Sequence, residues 1–283
     1  MGLGAREMLN WISTERYLKI IWFLRYGTKL NLENPRTYNE KIQWMKVYDH
    51  NEFYNEVVDK INVKNYIRTQ LGEKYIIPTL WVGDRPEDIP YEKFPNQFVI
   101  KCAHGSHCSI IVKNKNNIKK NKINKKLKKW LKKNWYWYAR EWAYKDVKPR
   151  IIVEQYMEDK IQKELIDYKF YCFDGEPFIV DVCSKRYSGG ELNETYFDTK
   201  WKLLNIHSGN HPIDKNITKP KKFEEMLKIA KKLSKTFHSV RVDLYEINGD
   251  VYFGELTFYS AAGFENFQPE EWAIKLGSMM NIS

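Results

Sequence analysis

The stretch from Ser239 to Phe258 constrains this chain's fold more than any other. It consists of two alternating runs, Ser-Val-Arg-Val-Asp-Leu-Tyr-Glu-Ile and Asp-Val-Tyr-Phe-Gly-Glu-Leu-Thr-Phe, around Asn248-Gly249. An Asn-Gly pair between such runs specifies a tight two-stranded hairpin. Side chains alternate between the faces of a strand, so the pairing register decides which of them meet. A plain two-residue turn sets Asp243 against Gly254 and sends Glu255 to the other face. A three-residue connection, or one bulge, sets Asp243 opposite Glu255 and Arg241 opposite Thr257. The second register collects Val240, Val242, Leu244, Gly254, Leu256 and Phe258 on the reverse face. That clean segregation favours it.

Two opposed carboxylates repel unless something positive lies between them. A hard divalent cation is one solution, because Mg²⁺ takes one or two carboxylates and fills its other positions with phosphate and water. The other is a carboxylate paired with Arg241 or with a surface lysine. Spacing alone leaves both open.

The rest of the chain reads as helices first, then strand pairs separated by helices, an α+β pattern with antiparallel sheets. Residues 8–24 are helical and mostly apolar. Thr37 and Glu40 stand at capping-box spacing before a second helix, and another helix covers about 56 to 71 and closes at Gly72. Strands are expected at Thr79 to Val82, Phe98 to Cys102, Ser109 to Val112 and Ile151 to Gln155. Asp174-Gly175 turns a further hairpin, Lys169 to Phe173 with Pro177 to Cys183, and a helix fills about 222 to 236. The expected division is 1–95 as a helical N-terminal region, 96–160 as a small subdomain and 161–283 as a C-terminal one.

Charge is unevenly placed. Eleven of the 47 lysines and arginines lie between Lys113 and Lys133, a stretch without acid, and the remaining 36 match the 36 acidic residues. Ile123, Leu127, Trp130, Leu131 and Trp135 fall close to helical spacing there, so the lysines form the solvated side of a packed helix. A nucleic-acid binder more often spreads its basic residues over a folded face, and that partner is disfavoured. A contact with a membrane surface or an anionic polymer through 8–24 or 113–133 is the alternative use of these segments. The aromatic stretch Trp135 to Trp142 reads as packing, and Asp59-Lys60 as a surface ion pair. Cys102, Cys108, Cys172 and Cys183 lack Cys-x-x-Cys spacing and read as free thiols of a reducing compartment. His104, His107 and Cys108 have metal-like spacing without an evident fourth ligand. No secretory signal and no apolar run long enough to span a bilayer is evident, so a cytoplasmic protein is expected.

Several short motifs then fall in order: Tyr38-Asn-Glu-Lys41, Asp59-Lys60, Phe98-Val-Ile-Lys-Cys-Ala-His-Gly-Ser106, Glu154-Gln-Tyr-Met157, Asp167-Tyr-Lys-Phe-Tyr-Cys-Phe173, Arg241-Val-Asp-Leu-Tyr245 and Phe253-Gly-Glu-Leu-Thr-Phe258. With these the chain resembles the ATP-grasp superfamily, and within it the TupA-like branch found with bacterial cell-surface polysaccharide genes. The resemblance implies two α+β subdomains with antiparallel sheets that hold nucleotide between them, and an amide ligase working through an acylphosphate. It implies ATP and Mg²⁺ as cofactors. Lys101 resembles the lysine that meets the ATP phosphates, and His104, Gly105 and Ser106 stand where the phosphate loop is usually glycine-rich. Glu154, Gln155, Tyr156 and Met157 match the hinge that reads adenine, with Glu154 accepting from its amino group. Asp167 matches a ribose contact and Lys185 a second phosphate lysine. Asp243 and Glu255 match the metal ligands, Thr257 stands in place of the more usual Asn, and Arg241 faces the transferred phosphoryl group. The implied partners are an amino acid or amine and a uronic acid-containing saccharide or its precursor.

Phosphoryl transfer is mostly positioning and charge neutralisation, so a site of cations suits it. The rival readings are a glycosyltransferase of the same pathway and a kinase that stops at phosphoryl transfer. No Asp-x-Asp pair occurs in the chain, which counts against the first.

Overall fold

A computed structural model describes residues 8–160, 165–185 and 191–282. The chain divides into two compact units, Met1–Ser13 with His50–Thr69 and Ile76–Met157, and Thr14–Asp49 with Gln70–Tyr75 and Glu158–Ser283.

The first unit is built on strands β1 (Thr79–Gly83), β2 (Phe98–Cys102), β3 (Ser109–Val112) and β4 (Ile151–Gln155), antiparallel in the order β1-β4-β2-β3. Phe98, Ile100 and Cys102 alternate into its core, where they meet Ile151 and Val153. The lysine-rich segment forms the helix Lys120–Leu131. Ile123 and Leu127, one turn apart, are buried in that same core, while Lys120, Lys122, Lys125, Lys126, Lys128 and Lys129 are exposed. The helix thus lays one narrow apolar stripe on the sheet and solvates its charge. The aromatic stretch beyond it packs as expected. Tyr136 is buried, the Arg140 guanidinium lies 4.3 Å from the Trp137 ring, and Trp142 stacks on His50 at 3.9 Å.

One expected helix is two. Phe53–Val58 and Val63–Gln70 are separated at Asp59, whose Oδ1 accepts from the backbone N–H groups of Ile61 and Asn62 at 2.8 and 3.2 Å. A side chain that takes up local N–H groups competes with helix continuation. Asp59 is buried and its ion-pair partner is Arg150 at 2.7 Å, so the expected surface pair with Lys60 is corrected. The Lys60 ammonium donates instead to the Gly105 carbonyl at 3.0 Å.

The second unit carries β5 (Asp167–Phe173), β6 (Glu176–Ser184), β7 (Asn193–Asp198), β9 (Ser239–Ile247) and β10 (Asp250–Thr257), antiparallel in the order β10-β9-β5-β6-β7, beside a short ribbon of β8 (His207–Ser208) and β11 (Phe267–Gln268). The amphipathic helix Phe223–Ser234 packs on β5, β6 and β9, with Phe223 against Phe170. The even-numbered residues of β5 therefore face this helix, and Lys169 and Tyr171 face the other way. Helix Tyr38–Tyr48, closed by the expected Thr37/Glu40 capping box, sets Tyr38 edge-on to Tyr171 and Phe173. The N-terminal helix runs Thr14–Tyr26 and buries Tyr17, Leu18 and Trp22.

The last hairpin uses both devices considered above. Its turn has two residues, Asn248 and Gly249, both left-handed at φ 55° and 89°. Pairing starts in the plain register, with Phe253 opposite Leu244, and shifts by one residue at Gly254. Beyond that bulge Glu255 lies opposite Asp243 and Thr257 opposite Arg241.

Candidate active site

In the first unit, adjacent strands β2 and β4 bring Lys101 and Glu154 together. The Lys101 ammonium lies 2.7 Å from Glu154 Oε2, and Lys64, on the helix Val63–Gln70, lies 2.5 Å from Oε1. Burial pushes the Glu154 carboxyl up, but the two ammoniums outweigh it and hold it below the ordinary range. Both carboxylate oxygens thus have lysine partners. Gln155 is exposed, Tyr156 and Met157 half-buried.

The loop between β2 and β3 presents its residues unequally. His104 is buried, its Nε2 3.3 Å from the Trp130 carbonyl, and burial depresses its pKa, so the ring is neutral. Gly105 is also buried, and a Cβ added to it would lie 2.1 Å from Trp135 Nε1, so only glycine fits beside the indole. Ser106 is half-buried and His107 exposed. The spacing His104, His107, Cys108 does not become a metal cluster among the described residues.

In the second unit the bulge places Arg241, Asp243, Glu255 and Thr257 on one sheet face. Arg241 binds Asp243 in a two-bond fork, Nε to Oδ1 and Nη2 to Oδ2 at 2.7 Å each. It also donates to Ser260 Oγ at 2.8 Å and Thr257 Oγ1 at 3.3 Å, and lies 4.0 Å from Glu255 Oε1. Burial pushes the Asp243 carboxyl up to about 6, with Glu255 adding to the rise and Arg241 opposing it. Two carboxylates and a hydroxyl are a hard oxygen set of the kind Mg²⁺ takes. Asp167 is buried at the start of β5, and Lys185 is exposed just beyond β6 with φ 62°.

A profile of the TupA-like ATP-grasp family matches residues 40–281. The chain belongs to this family. A search of curated proteins finds no match. Among solved structures, the D-alanine–D-alanine ligase of Bacillus anthracis complexed with ATP is similar at 14% identity and a TM-score of 0.43, covering 72% of this chain and 55% of its own. The Helicobacter pylori D-alanine–D-alanine ligase is similar at 15% identity and 0.40, covering 80% and 61%. The ATP-grasp ligase PsnB complexed with minimal precursor is similar at 9% and 0.41, covering 78% and 59%. This TupA-like chain thus spans less than two thirds of the length of these solved chains.

Sequence reasoning missed part of the charged face of this TupA-like protein. Lys169 stands in one row across the sheet, opposite Asp243 on β9 and Asp181 on β6. It is buried, 3.5 Å from Asp181 Oδ2 and 2.7 Å from Cys183 Sγ. The signal was present: Asp167 and Lys169 alternate with Tyr168 and Phe170, and Asp181 and Cys183 with Val180 and Val182. Ser260, which accepts from Arg241, and Glu265, which accepts from Ser260, lie in the short 3-10 turn after β10 and the loop beyond it, with no period to reveal them.

Proposed function

We propose that this TupA-like ATP-grasp protein is an ATP- and Mg²⁺-dependent ligase that joins an amine to a carboxylate through an acylphosphate. The observation that carries the reading is the bulged register that sets Asp243 opposite Glu255 beside Arg241, in a chain of this family. Asp243, Glu255 and Thr257 would hold Mg²⁺, which supplies charge neutralisation to phosphoryl oxygens. Lys101 binds phosphate from the β2 side. Glu154 orients Lys101 through their ion pair, and Gln155, Tyr156 and Met157 bound the adenine. His104 is turned inward, so the loop contributes backbone N–H groups and Ser106. Asp167 meets the ribose and Lys185 adds a second phosphate contact. With a cation on Asp243, Arg241 can turn an N–H toward a phosphoryl oxygen. The substrate carboxylate attacks the γ-phosphorus and ADP leaves. The amine then attacks the acyl carbon and phosphate leaves.

The carboxylate of this reading is a uronic acid of a bacterial surface polysaccharide or its precursor, and the amine an amino acid or related compound. Among the described residues no helix is long and apolar enough to cross a membrane. Helix Thr14–Tyr26 exposes Ile20, Phe23 and Leu24 with Arg16, Lys19 and Arg25, a surface suited to contact at the cytoplasmic membrane face. Incubation with ATP, Mg²⁺, glucuronate, galacturonate and mixed amino acids, followed by product mass spectrometry, tests the reaction. An amide product with ADP is expected. A phosphorylated sugar without amide would make the protein a kinase instead.

A further inference from the structure

We propose that Asp181, Cys183 and Glu194, with Lys169 beside them, form the subsite for the ammonium group of the amine substrate, an inference that rests on the ligase reading for the identity of that amine. One oxygen or sulfur atom from each of the three residues lies within 4.8 Å of the others. Three acceptors gathered so closely fit one –NH₃⁺ group, which carries three donors.

The second observation is an unmet acceptor. Asp181 is 2% exposed, and its Oδ1 is buried with no hydrogen-bond partner. Its other oxygen is shared by Lys169 at 3.5 Å and Cys183 Sγ at 3.4 Å. A buried carboxylate oxygen left without a donor is costly, and native interiors seldom leave one.

Charge points the same way. The groups that act on Glu194 are Asp181 on β6, Lys169 on β5, Glu265 in the segment after β10, and Arg241 on β9. Two cations therefore face three carboxyls, and Arg241 is already committed to Asp243. Burial first, and Asp181 second, push the Glu194 carboxyl up to about 8. It keeps a proton at neutral pH where a bound cation would displace it. Binding of an ammonium thus releases one proton to solvent, and affinity rises as pH approaches 8.

An ammonium suits the cluster better than a metal ion does. The fixed Lys169 ammonium stands 2.7 Å from Cys183 Sγ and repels a divalent cation twice as strongly as it repels a singly charged ammonium at the same distance. Burial also pushes the Cys183 thiol up, so it is held as a thiol and accepts weakly instead of ligating as thiolate.

Saturation-transfer NMR with methylammonium as the probe tests this without any turnover, so failure here is separate from failure of the ligase reading. Saturable binding is expected in the wild-type chain, with none for tetramethylammonium, which has no N–H donors. Loss of one charge-assisted hydrogen bond should weaken it about tenfold in Asp181→Asn and in Glu194→Gln. Glu194 is half-buried, so Glu194→Gln keeps the test open if Asp181→Asn fails to fold. Absence of saturable methylammonium binding, equal binding in wild type and a folded Glu194→Gln protein, or Mn²⁺ binding that Glu194→Gln abolishes, would each overturn the proposal.

Discussion

Glu154 has both carboxylate oxygens engaged by ammoniums, one from the neighbouring strand and one from a helix ninety positions away in the chain. Replacing it with Gln leaves Lys64 and Lys101 partly buried beside a neutral amide. Breaking a buried pair from one side is strongly destabilising, so Glu154→Gln should lose about 3 kcal/mol of stability in urea unfolding. A second prediction concerns Glu194, whose pKa rises from 4.5 to about 8 on folding. The folded chain holds this proton through a window where the unfolded chain has lost it. Its contribution to stability therefore falls as pH rises from about 4.5 to 8 and is constant above. Glu194→Gln removes that slope, so its melting temperature should gain on the wild type steadily across this window in a pH series. At this scale the sequence was legible where strand register decides the outcome, as in the pairing of Asp243 with Glu255. It was not legible where partners come from distant elements. Asp59 pairs with Arg150 and not with its neighbour Lys60, because chain proximity says nothing about which cation the fold brings to a buried acid.

At the scale of elements, one bulge decides what the last hairpin can do. The Asn-Gly turn alone would hide Glu255 from Asp243. Segregation of apolar from polar side chains indicated the shift, although nothing local marked whether the turn or the strand would supply it. Gly254 supplies it, and a Cβ there would stand 2.9 Å from Tyr245 Cε2 and 3.0 Å from the Asp243 carbonyl oxygen. Gly254→Ala should therefore cost about 1–3 kcal/mol by crowding and weaken Mg²⁺-dependent ATP binding, measurable by calorimetry with and without Mg²⁺. The lysine-rich helix makes the opposite prediction. Its apolar stripe holds it to the sheet while its lysines point to solvent, so replacing six lysines between 113 and 133 with Gln should leave turnover of small substrates within about twofold. The helix expected at 56–71 was legible in its periodicity but not in its break, since a polar side chain that captures two N–H groups leaves no mark in the apolar pattern.

For the whole molecule, the α+β class and antiparallel sheets followed from the order of strand and helix signals, and membership of the TupA-like ATP-grasp family follows from a match over residues 40–281. The division into units was harder to see, because residues 14–49 belong with the C-terminal sheet and 50–69 with the first one. Such a crossing leaves no composition shift to read. The central claim is that Asp243 and Glu255 hold the metal of a phosphoryl-transfer site. Its most direct test is ADP formation from Mg²⁺-ATP, dependent on carboxylate and amine, in the Asp243→Asn/Glu255→Gln double variant alongside the wild type. Turnover lower by about 10³-fold, in a protein that still unfolds cooperatively, is the predicted result. Turnover equal to the wild type's would contradict it.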